Sequence, residues 1–282
     1  MSQDASAAGD LAPGAVLRRP GTRRLGHSYE FLSACVSTND VVRSRAADEA
    51  AEGLLIVADT QAAGRGRLGR SWHSPPGQNL YLSLLLRPAL PARLAAPLTL
   101  LAGASLARTL VEAGVVPRLR WPNDLLIPAA GSFRKVAGIL TEMATKGEAV
   151  RHIVLGVGVN VNGLAFPAEL AERATSLRMA CGHAFDRTQL LVVFLSIFES
   201  LYDDFLARGP AFGLAEWRRH ADLGRVCRVD QNGARIEGIA TDIDDSGALL
   251  VRDDAGHVHR LTSVDEGELL HTGQPHGRNQ RA

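Results

Sequence analysis

The chain lacks an excess of either charge. Its 282 residues carry 31 Lys and Arg against 30 Asp and Glu, which gives a formal net charge of +1. A general nucleic-acid binder or a membrane-surface protein is expected to carry a large excess of one sign. The composition therefore argues against both classes, and we expect neither a nucleic-acid partner nor a membrane partner.

Cysteine is scarce, and long apolar runs are missing from the sequence. The three cysteines, Cys35, Cys181 and Cys227, are far apart and odd in number, which argues against a disulfide framework and a zinc site. Apolar runs such as residues 190–198 are shorter than the roughly 18 to 20 residues that cross a bilayer. The first residues contain no apolar segment of the secretory type. These features together predict a cytoplasmic protein.

Lysine is the rarest charged residue. The chain has only two, Lys135 and Lys146, beside 29 arginines. Coding composition accounts for most of this imbalance. The two side chains are nevertheless not equivalent, because arginine is a planar fork of donors whereas lysine is a compact point charge. A lysine in this chain is therefore worth examining as a functional residue.

Hydrophobic spacing divides the sequence into a large and a small domain. Residues 1–25 are rich in Ala, Gly, Pro and Arg without a regular period, which is typical of a disordered leader. From there to residue 222, apolar spacing predicts helices over 37–53, 94–113 and 188–207, and strands over 54–60, over 79–88 and from residues 118, 135 and 152.

The period changes from 3.6 to 2 after residue 223. Short alternating runs are separated by the turn pairs Asn232-Gly233, Ser246-Gly247 and Ala255-Gly256, which are typical of hairpins. Residues 223–270 therefore predict a small five-stranded barrel, and residues 271–282 a flexible tail.

A segment rich in glycine and arginine, GRGRLGRSW at residues 64–72, is the strongest local feature. It matches GxGxxG, but no helix can follow it and no acid occurs between Asp59 and Glu112, so a dinucleotide-binding loop is excluded. A Walker loop is excluded because the chain has no Gly-Lys pair. Glycines let a backbone close on a ligand and arginine forks match phosphate or carboxylate oxygens, which favours an anion site. A solvated turn or an RGG-type nucleic-acid contact would use the same residues.

Two further segments have unusual composition. RWPND at residues 120–124 is ordinary turn chemistry, but Lys135 follows it at the start of an apolar strand, KVAGIL. Asp124 precedes that lysine by 11 residues and could face it across a hairpin. GVGVNVN at residues 156–162 alternates Gly and Val, which indicates close approach by another backbone or a ligand, or else tight packing within the sheet.

Together and in this order, these segments resemble the biotin protein ligase family. The resemblance is carried by STN at 37–39, Gln61 followed by GRGRLGRSW, WPNDLL, KVAGIL and GVGVN, and it covers about residues 28–265. It implies an α+β catalytic domain over 26–222, related to class II aminoacyl-tRNA synthetases, with a mixed sheet flanked by helices. A small SH3-like barrel would follow it. Residues 1–25 are too short for the DNA-binding domain of members that repress transcription, so a monofunctional ligase is expected.

The resemblance also implies a two-step reaction. Biotin and ATP would give biotinyl-adenylate and pyrophosphate, and the biotinyl group would pass to a lysine of a biotin carboxyl carrier protein domain. Mg²⁺ would arrive with the ATP phosphates, near Asn160, without a direct protein ligand. A monomer or a weak dimer is expected.

Residue roles follow from the same match. Lys135 would bridge the biotin carboxylate and the α-phosphate, while Asp124 would orient Lys135 or the incoming carrier lysine. Arg65 and Arg67 would close over the anionic groups. The implied catalytic set is Lys135, Arg67 and Asp124. The implied binding set for biotin and nucleotide comprises Ser37, Thr38, Asn39, Gln61, Gly64, Arg65, Gly66, Arg67, Trp72, Asn123, Lys135, Gly138, Ile139 and Asn160.

Three other functions remain open from the sequence. A lipoate or octanoate ligase would share the fold and the acyl-adenylate chemistry. A nucleic-acid-binding module would use the arginine segment and the barrel, and its binding would depend steeply on salt. A biotin sensor without catalysis would release no pyrophosphate.

Overall fold

The structure is a computed structural model that describes residues 9–17, 21–231, 234–263 and 266–268. The chain divides into two compact units, Met1–Ala221 and Asp222–Ala282. The boundary lies one residue before the predicted one. The predicted tail at 271–282 and the turn Asn232-Gly233 lie outside the described residues.

The first unit is built on a seven-stranded sheet with the order β1-β2-β3-β7-β6-β5-β4. Strands β1 and β2 are parallel, and every other neighbouring pair is antiparallel, so the predicted mixed sheet is confirmed. The strands are β1 Tyr29–Leu32, β2 Leu55–Ala58, β3 Leu80–Leu86, β4 Arg118–Arg120, β5 Asp124–Ala129, β6 Ser132–Lys146 and β7 Ala149–Val159.

The predicted helices of the first unit lie close to their expected positions, and three further helices are present among the described residues. The helices are α1 Pro13–Val16, α2 Thr38–Ala47, α3 Pro97–Glu112, α4 Leu177–Cys181, α5 Arg187–Arg208 and α6 Pro210–His220. Helix α2 ends six residues before the predicted stop at Gly53, because Glu49 already has a φ of 61°. Gly53 has a different constraint: a Cβ there would lie 2.7 Å from the carbonyl oxygen of Arg24.

Side chains on β6 and β7 alternate between two faces of the sheet. A Cβ on Gly103 of α3 would lie 3.6 Å from Cδ1 of Ile139, and α3 packs in turn against α5 and α6. The opposite face carries Gly138 and Gly158, which are paired in register, and helix α2 lies on that face. The sheet thus separates a three-helix layer from the surface on which the candidate site is built.

The predicted disordered leader is wrong for the part that the structure describes. Leu11 and Val16 are buried, and the hydroxyl of Tyr29 donates to the carbonyl oxygen of Leu11 at 2.7 Å. The guanidinium of buried Arg187 pairs with Asp10 at 2.5 Å and with Asp59 at 3.2 Å. A short segment without periodicity is held here by long-range contacts, which hydrophobic spacing does not register.

The second unit contains a five-stranded antiparallel sheet with the order β11-β10-β9-β8-β12. Its strands are β8 Val226–Gln231, β9 Ala234–Ile243, β10 Leu249–Arg252, β11 Val258–Leu261 and β12 Glu266–Glu268. Gly247 and Gly256 have φ values of 81° and 88° in the turns on either side of β10. The hairpins predicted at Ser246-Gly247 and Ala255-Gly256 are confirmed.

One segment among the described residues is long and apolar enough to cross a membrane by length and composition. It is Ala92–Glu112, which contains α3, and 72% of its apolar window is buried inside the protein.

Candidate functional site

The buried side of the site is a set of uncharged polar side chains, here called the neutral end: Ser37, Thr38, Asn39, Gln61, Ser74 and Ser83. The side-chain oxygen of Gln61 accepts hydrogen bonds from the backbone nitrogen of Thr38 at 2.9 Å and from its hydroxyl at 3.2 Å. The amide nitrogen of Gln61 donates to Ser74 Oγ at 3.1 Å. These hydrogen bonds fix the side chains of Gln61, Thr38 and Ser74 relative to one another.

Asn39 joins the neutral end to the sheet. Its Oδ1 accepts from Ser83 Oγ at 2.6 Å, and its side chain is only 4% exposed. A Cβ on Gly156 would lie 2.2 Å from that same Oδ1. The alternating Gly and Val of β7 thus indicated a real close approach, made here by a side chain rather than by another backbone.

The segment at residues 64–72, here called the arginine loop, folds as a small closed hairpin. The backbone nitrogen of Trp72 donates to the carbonyl oxygen of Gly64 at 2.8 Å, and that of Gly66 donates to Arg70 at 2.7 Å. A Cβ on Gly64 would lie 2.7 Å from Trp72 O and 2.8 Å from Ser74 Oγ. Gly64 is therefore required for packing, which fixes the loop beside the neutral end.

Trp72 lies between the neutral end and the lysine. A Cβ on Gly158 would lie 2.5 Å from Trp72 Cε2, and one on Gly138 would lie 3.0 Å from its Cζ3. The ammonium of Lys135 is 5.4 Å from the indole centroid, within range of a cation–π interaction. Two glycines on neighbouring strands thus make room for the indole, which forms a wall beside Lys135.

The charged end comprises Arg67, Asp124 and Lys135. The β5–β6 hairpin brings Lys135 Nζ to 2.5 Å from Asp124 Oδ1, and the two side chains are 32% and 24% exposed. The spacing of 11 residues had suggested this pairing, although the strands also contain a bulge after Leu125. A lysine held this way is a localised positive charge that is still open to a ligand.

The two predicted arginines of the loop reach different charges. Burial lowers the pKa of the Arg67 guanidinium below its ordinary value, and the nearby carboxylate of Asp124 partly opposes that shift. Arg65 instead pairs with Asp40 at 2.7 Å and with Glu142 at 3.0 Å. Arg67 thus lies within electrostatic range of Asp124, the partner of Lys135, whereas Arg65 is held by two acids next to the neutral end.

Asn123, Ile139 and Asn160 make backbone contacts that shape the site. Asn123 Nδ2 donates to the carbonyl oxygen of Ile139 at 2.9 Å, which ties the turn before β5 to β6. Asn160 is 4% exposed, and its amide donates to Thr175 O at 3.2 Å. The backbone nitrogen of Thr175 in turn donates to Lys135 O at 2.9 Å. Asn160 thus supports the strand that carries the lysine.

The described residues contain no group of three or more His, Cys, Asp or Glu side chains that could hold a metal ion.

Sequence reasoning missed Ser83 and Glu142. Ser83 is fully buried on β3 among leucines, where its Oγ donates to Asn39 Oδ1 and lies 2.7 Å from the hydroxyl of Thr38. A single serine within LYLSLLL was the available signal. No sequence signal marked Glu142, because its contacts with Arg65 and Asn39 form only when the loop and α2 pack onto β6.

Two family profiles match the chain. The Biotin/lipoate A/B protein ligase family matches residues 33–160, and the Biotin protein ligase C terminal domain matches residues 222–265. The bifunctional ligase/repressor BirA of Bacillus subtilis (strain 168) is 36% identical over 248 residues, which cover 86% of this chain and 75% of that protein. The chain belongs to the biotin/lipoate A/B protein ligase family.

Other relatives in this ligase family support the same assignment. A biotin--[acetyl-CoA-carboxylase] ligase of Paracoccus denitrificans is 36% identical over 212 residues, covering 71% of this chain and 85% of that one. The biotin protein ligase of Aquifex aeolicus in complex with biotin and ATP has a TM-score of 0.72 and 27% identity, over 85% of this chain and 97% of its own. The resemblance inferred from the motifs is confirmed, as is a ligase fold followed by a C-terminal β domain.

Proposed function

We propose that this ligase activates biotin with ATP to biotinyl-5′-AMP and transfers the biotinyl group to a lysine of a biotin carboxyl carrier domain. The observation that carries the proposal is the placement of Lys135, held by Asp124 at 2.5 Å beside the buried, hydrogen-bonded neutral end. The relatives named as biotin ligases and the C-terminal match support biotin as the substrate.

The first step joins two anions. A biotin carboxylate oxygen attacks the α-phosphorus of ATP, a new oxygen–phosphorus bond forms, and the bond to the bridging oxygen breaks to release pyrophosphate. The ammonium of Lys135 would lie between the carboxylate and the α-phosphate and reduce their repulsion. Arg67 would bind the developing negative charge with its planar fork. Fixed donors of this kind stabilise a transition state without reorganising during the reaction.

The neutral end fits the uncharged rings of biotin. A ureido group offers both donors and an acceptor, and Ser37, Thr38 and Gln61 provide hydroxyl and amide groups in a buried setting. A site built on buried hydrogen-bonding groups rejects ligands that leave those groups unpaired. The neutral end would therefore select the substrate, whereas the charged end performs the chemistry.

The second step transfers the acyl group to an amine. The carrier lysine, as a neutral amine, attacks the carbonyl carbon of the mixed anhydride, and the carbon–oxygen bond to AMP breaks. The amine must lose a proton as the amide forms. Asp124 lies beside Lys135 at the reacting end, where it would orient the incoming amine and accept that proton.

Magnesium would be held by the phosphates of ATP, since the described residues offer no cluster of protein ligands. The ion would supply positive charge at the phosphates. Asn160 contributes through the loop that supports Lys135.

A lipoate ligase is the second candidate, because the matching family includes lipoate ligases. Lipoate has no ureido group, so it would leave the polar groups near Gln61 without ligand partners. The neutral end therefore favours biotin.

Biotin-dependent exchange of pyrophosphate into ATP tests the proposal, with lipoate in place of biotin as the control. Exchange with biotin alone, followed by labelling of a carrier domain, is the expected result. Exchange with lipoate but not biotin would identify the second candidate, and no exchange with either would contradict the adenylation chemistry.

A further inference from the structure

The arginine loop is attached to the protein at a second place, away from Lys135. Arg65 Nη2 is 2.7 Å from Asp40 Oδ1 and 3.0 Å from Glu142 Oε2. Asp40 lies in the first turn of α2, and Glu142 lies on β6. The loop is thus joined to two separate elements by one guanidinium.

Glu142 is anchored in the neutral end. Its Oε2 also accepts a hydrogen bond from Asn39 Nδ2 at 2.6 Å, and Asn39 is itself fixed by Ser83. Its Oε1 lies 3.3 Å from Nη1 of Arg43, which also pairs with Asp40. The carboxylate that holds the loop is therefore connected by hydrogen bonds to the buried substrate-recognition residues.

The order of residues along β6 shows which part of the sheet the arginine loop covers. Glu142, Leu140 and Gly138 lie on the same face of β6 because they are two residues apart. Arg65 is held at Glu142, while Trp72 covers Gly138 and Arg67 experiences the charge of Asp124. The loop therefore extends from the neutral end to the charged end, and Arg65 fixes the end that performs no chemistry.

The exposure of these groups makes the contact reversible. The side chains of Arg65, Asp40 and Glu142 are 36%, 32% and 30% exposed. An ion pair that is partly solvated is weak and is screened by salt, unlike a buried one. Such a contact can hold a loop closed for the lifetime of an intermediate and still release it.

We propose that Asp40 and Glu142 are positioning residues that hold Arg65, and through it the arginine loop, and so set how long the acyl-adenylate stays bound. This inference rests on the proposed function, because only an enzyme that forms a reactive mixed anhydride needs to retain it. A loop that excludes water and stray amines protects the intermediate until the carrier arrives. Arg65 then acts on the loop rather than on the phosphates.

The test measures retention separately from formation. Glu142→Gln and Asp40→Asn remove one charge each and keep the shape of the side chain, and Gln at 142 keeps an oxygen for Asn39. Release of radiolabelled biotinyl-adenylate from a preformed complex is followed by rapid filtration, and formation is followed by pyrophosphate exchange. The ratio of release to formation is expected to rise about fivefold in each variant, as loss of a partly exposed ion pair predicts.

A double variant distinguishes positioning from a merely structural role. If both acids act through Arg65, Arg65→Gln combined with Glu142→Gln releases the adenylate no faster than Arg65→Gln alone. Release by the wild type should accelerate with salt, and release by Arg65→Gln should not. Glu148→Gln, which changes an exposed acid at the turn after β6, is the matched control.

The experiment distinguishes a failure of the proposed function from a failure of the retention role. If the wild type shows no biotin-dependent exchange, the proposed function is wrong. If the wild type is active but both single variants release the adenylate at its rate, or if the double variant adds to Arg65→Gln, the retention role is wrong. Should Glu142→Gln fail to fold in a thermal melt, Asp40→Asn alone decides the outcome.

Discussion

The neutral end and the charged end of this site are built by opposite means. Gln61 is bonded to Thr38 and Ser74, and Asn39 is bonded to Ser83, so hydrogen bonds fix their positions. Lys135 and Asp124 form a single half-exposed ion pair beside Trp72. One end is positioned by hydrogen bonds within the protein, and the other keeps a charge that a ligand can use.

This difference predicts that the residues of the neutral end contribute to substrate binding and those of the charged end to the reaction rate. Buried polar groups specify a ligand because leaving them unpaired is expensive. Localised charges accelerate a reaction when they meet charge that develops in the transition state. Damage to the neutral end should therefore appear in the KM for biotin, and damage to the charged end in the rate of adenylation. The predictions below test that separation.

Lys135→Arg should have the largest effect. It keeps the positive charge but replaces a point charge with a wide fork beside Trp72 and Asp124, so the rate of pyrophosphate exchange should fall by about 100-fold or more. Lys146→Arg, the same change at the chain's other lysine, should exchange normally. Near-normal exchange by Lys135→Arg would show that the charged end needs only a cation.

Gly156→Ala should damage the neutral end next most severely. The new methyl group would lie 2.2 Å from Asn39 Oδ1, so Asn39 must move away from Ser83. Strain of this kind costs about 1–3 kcal/mol. We expect the KM for biotin to rise about thirtyfold, with the KM for ATP nearly unchanged. An equal rise in both KM values would remove the distinction between the two ends.

Gln61→Ala should have a smaller effect in the same direction. It removes the acceptor of the Thr38 backbone N–H and leaves Ser74 without its donor, so the KM for biotin should rise about tenfold. Gln78→Ala, at an exposed position, is the matched control. An unchanged KM in the Gln61 variant would mean that biotin does not bind at the neutral end.

The smallest expected effect concerns Cys35, whose thiol should be alkylated slowly at neutral pH. Its backbone forms an isolated parallel β-bridge with that of Gln61. Burial, together with the nearby Asp40 carboxylate, raises the pKa of its thiol to about 11. A raised pKa keeps the thiol protonated and uncharged through pH 9, so its alkylation should stay slow there and accelerate only toward pH 11. Cys35→Ser should identify the labelled peptide by mass spectrometry. Fast labelling of Cys35 at pH 8 would show that this side of the neutral end is open.

The sequence motifs contain most residues of the candidate site, but they do not show how these residues contact one another. The spacing of Asp124 and Lys135 suggested their pairing, because a hairpin folds nearby residues onto each other. Arg65 was expected at the anionic groups together with Arg67, since both are arginines in one loop. The direction of each side chain depends on which carboxylates the folded sheet and α2 present.

The same limit applies to the fold. Long periodic segments such as α5 were predicted nearly to the residue, whereas β1 and α6 were missed because their spacing is too short or too irregular to stand out. The segment containing Asp10 and Leu11 was expected to be disordered, yet it is held by Arg187 and Tyr29. These partners are distant in sequence, so no local pattern reports them.

The sequence by itself determined the family, the positions of the long helices and of most strands in the first unit, and the lysine that we propose acts in the chemistry. Residue identity and spacing suffice for these features because they reflect local propensity and short-range pairing. The tertiary structure alone decided which glycines make room for Trp72 and Asn39, and that Arg65 pairs with Asp40 and Glu142. Such contacts join elements far apart in the chain, and their geometry exists only once the sheet has formed.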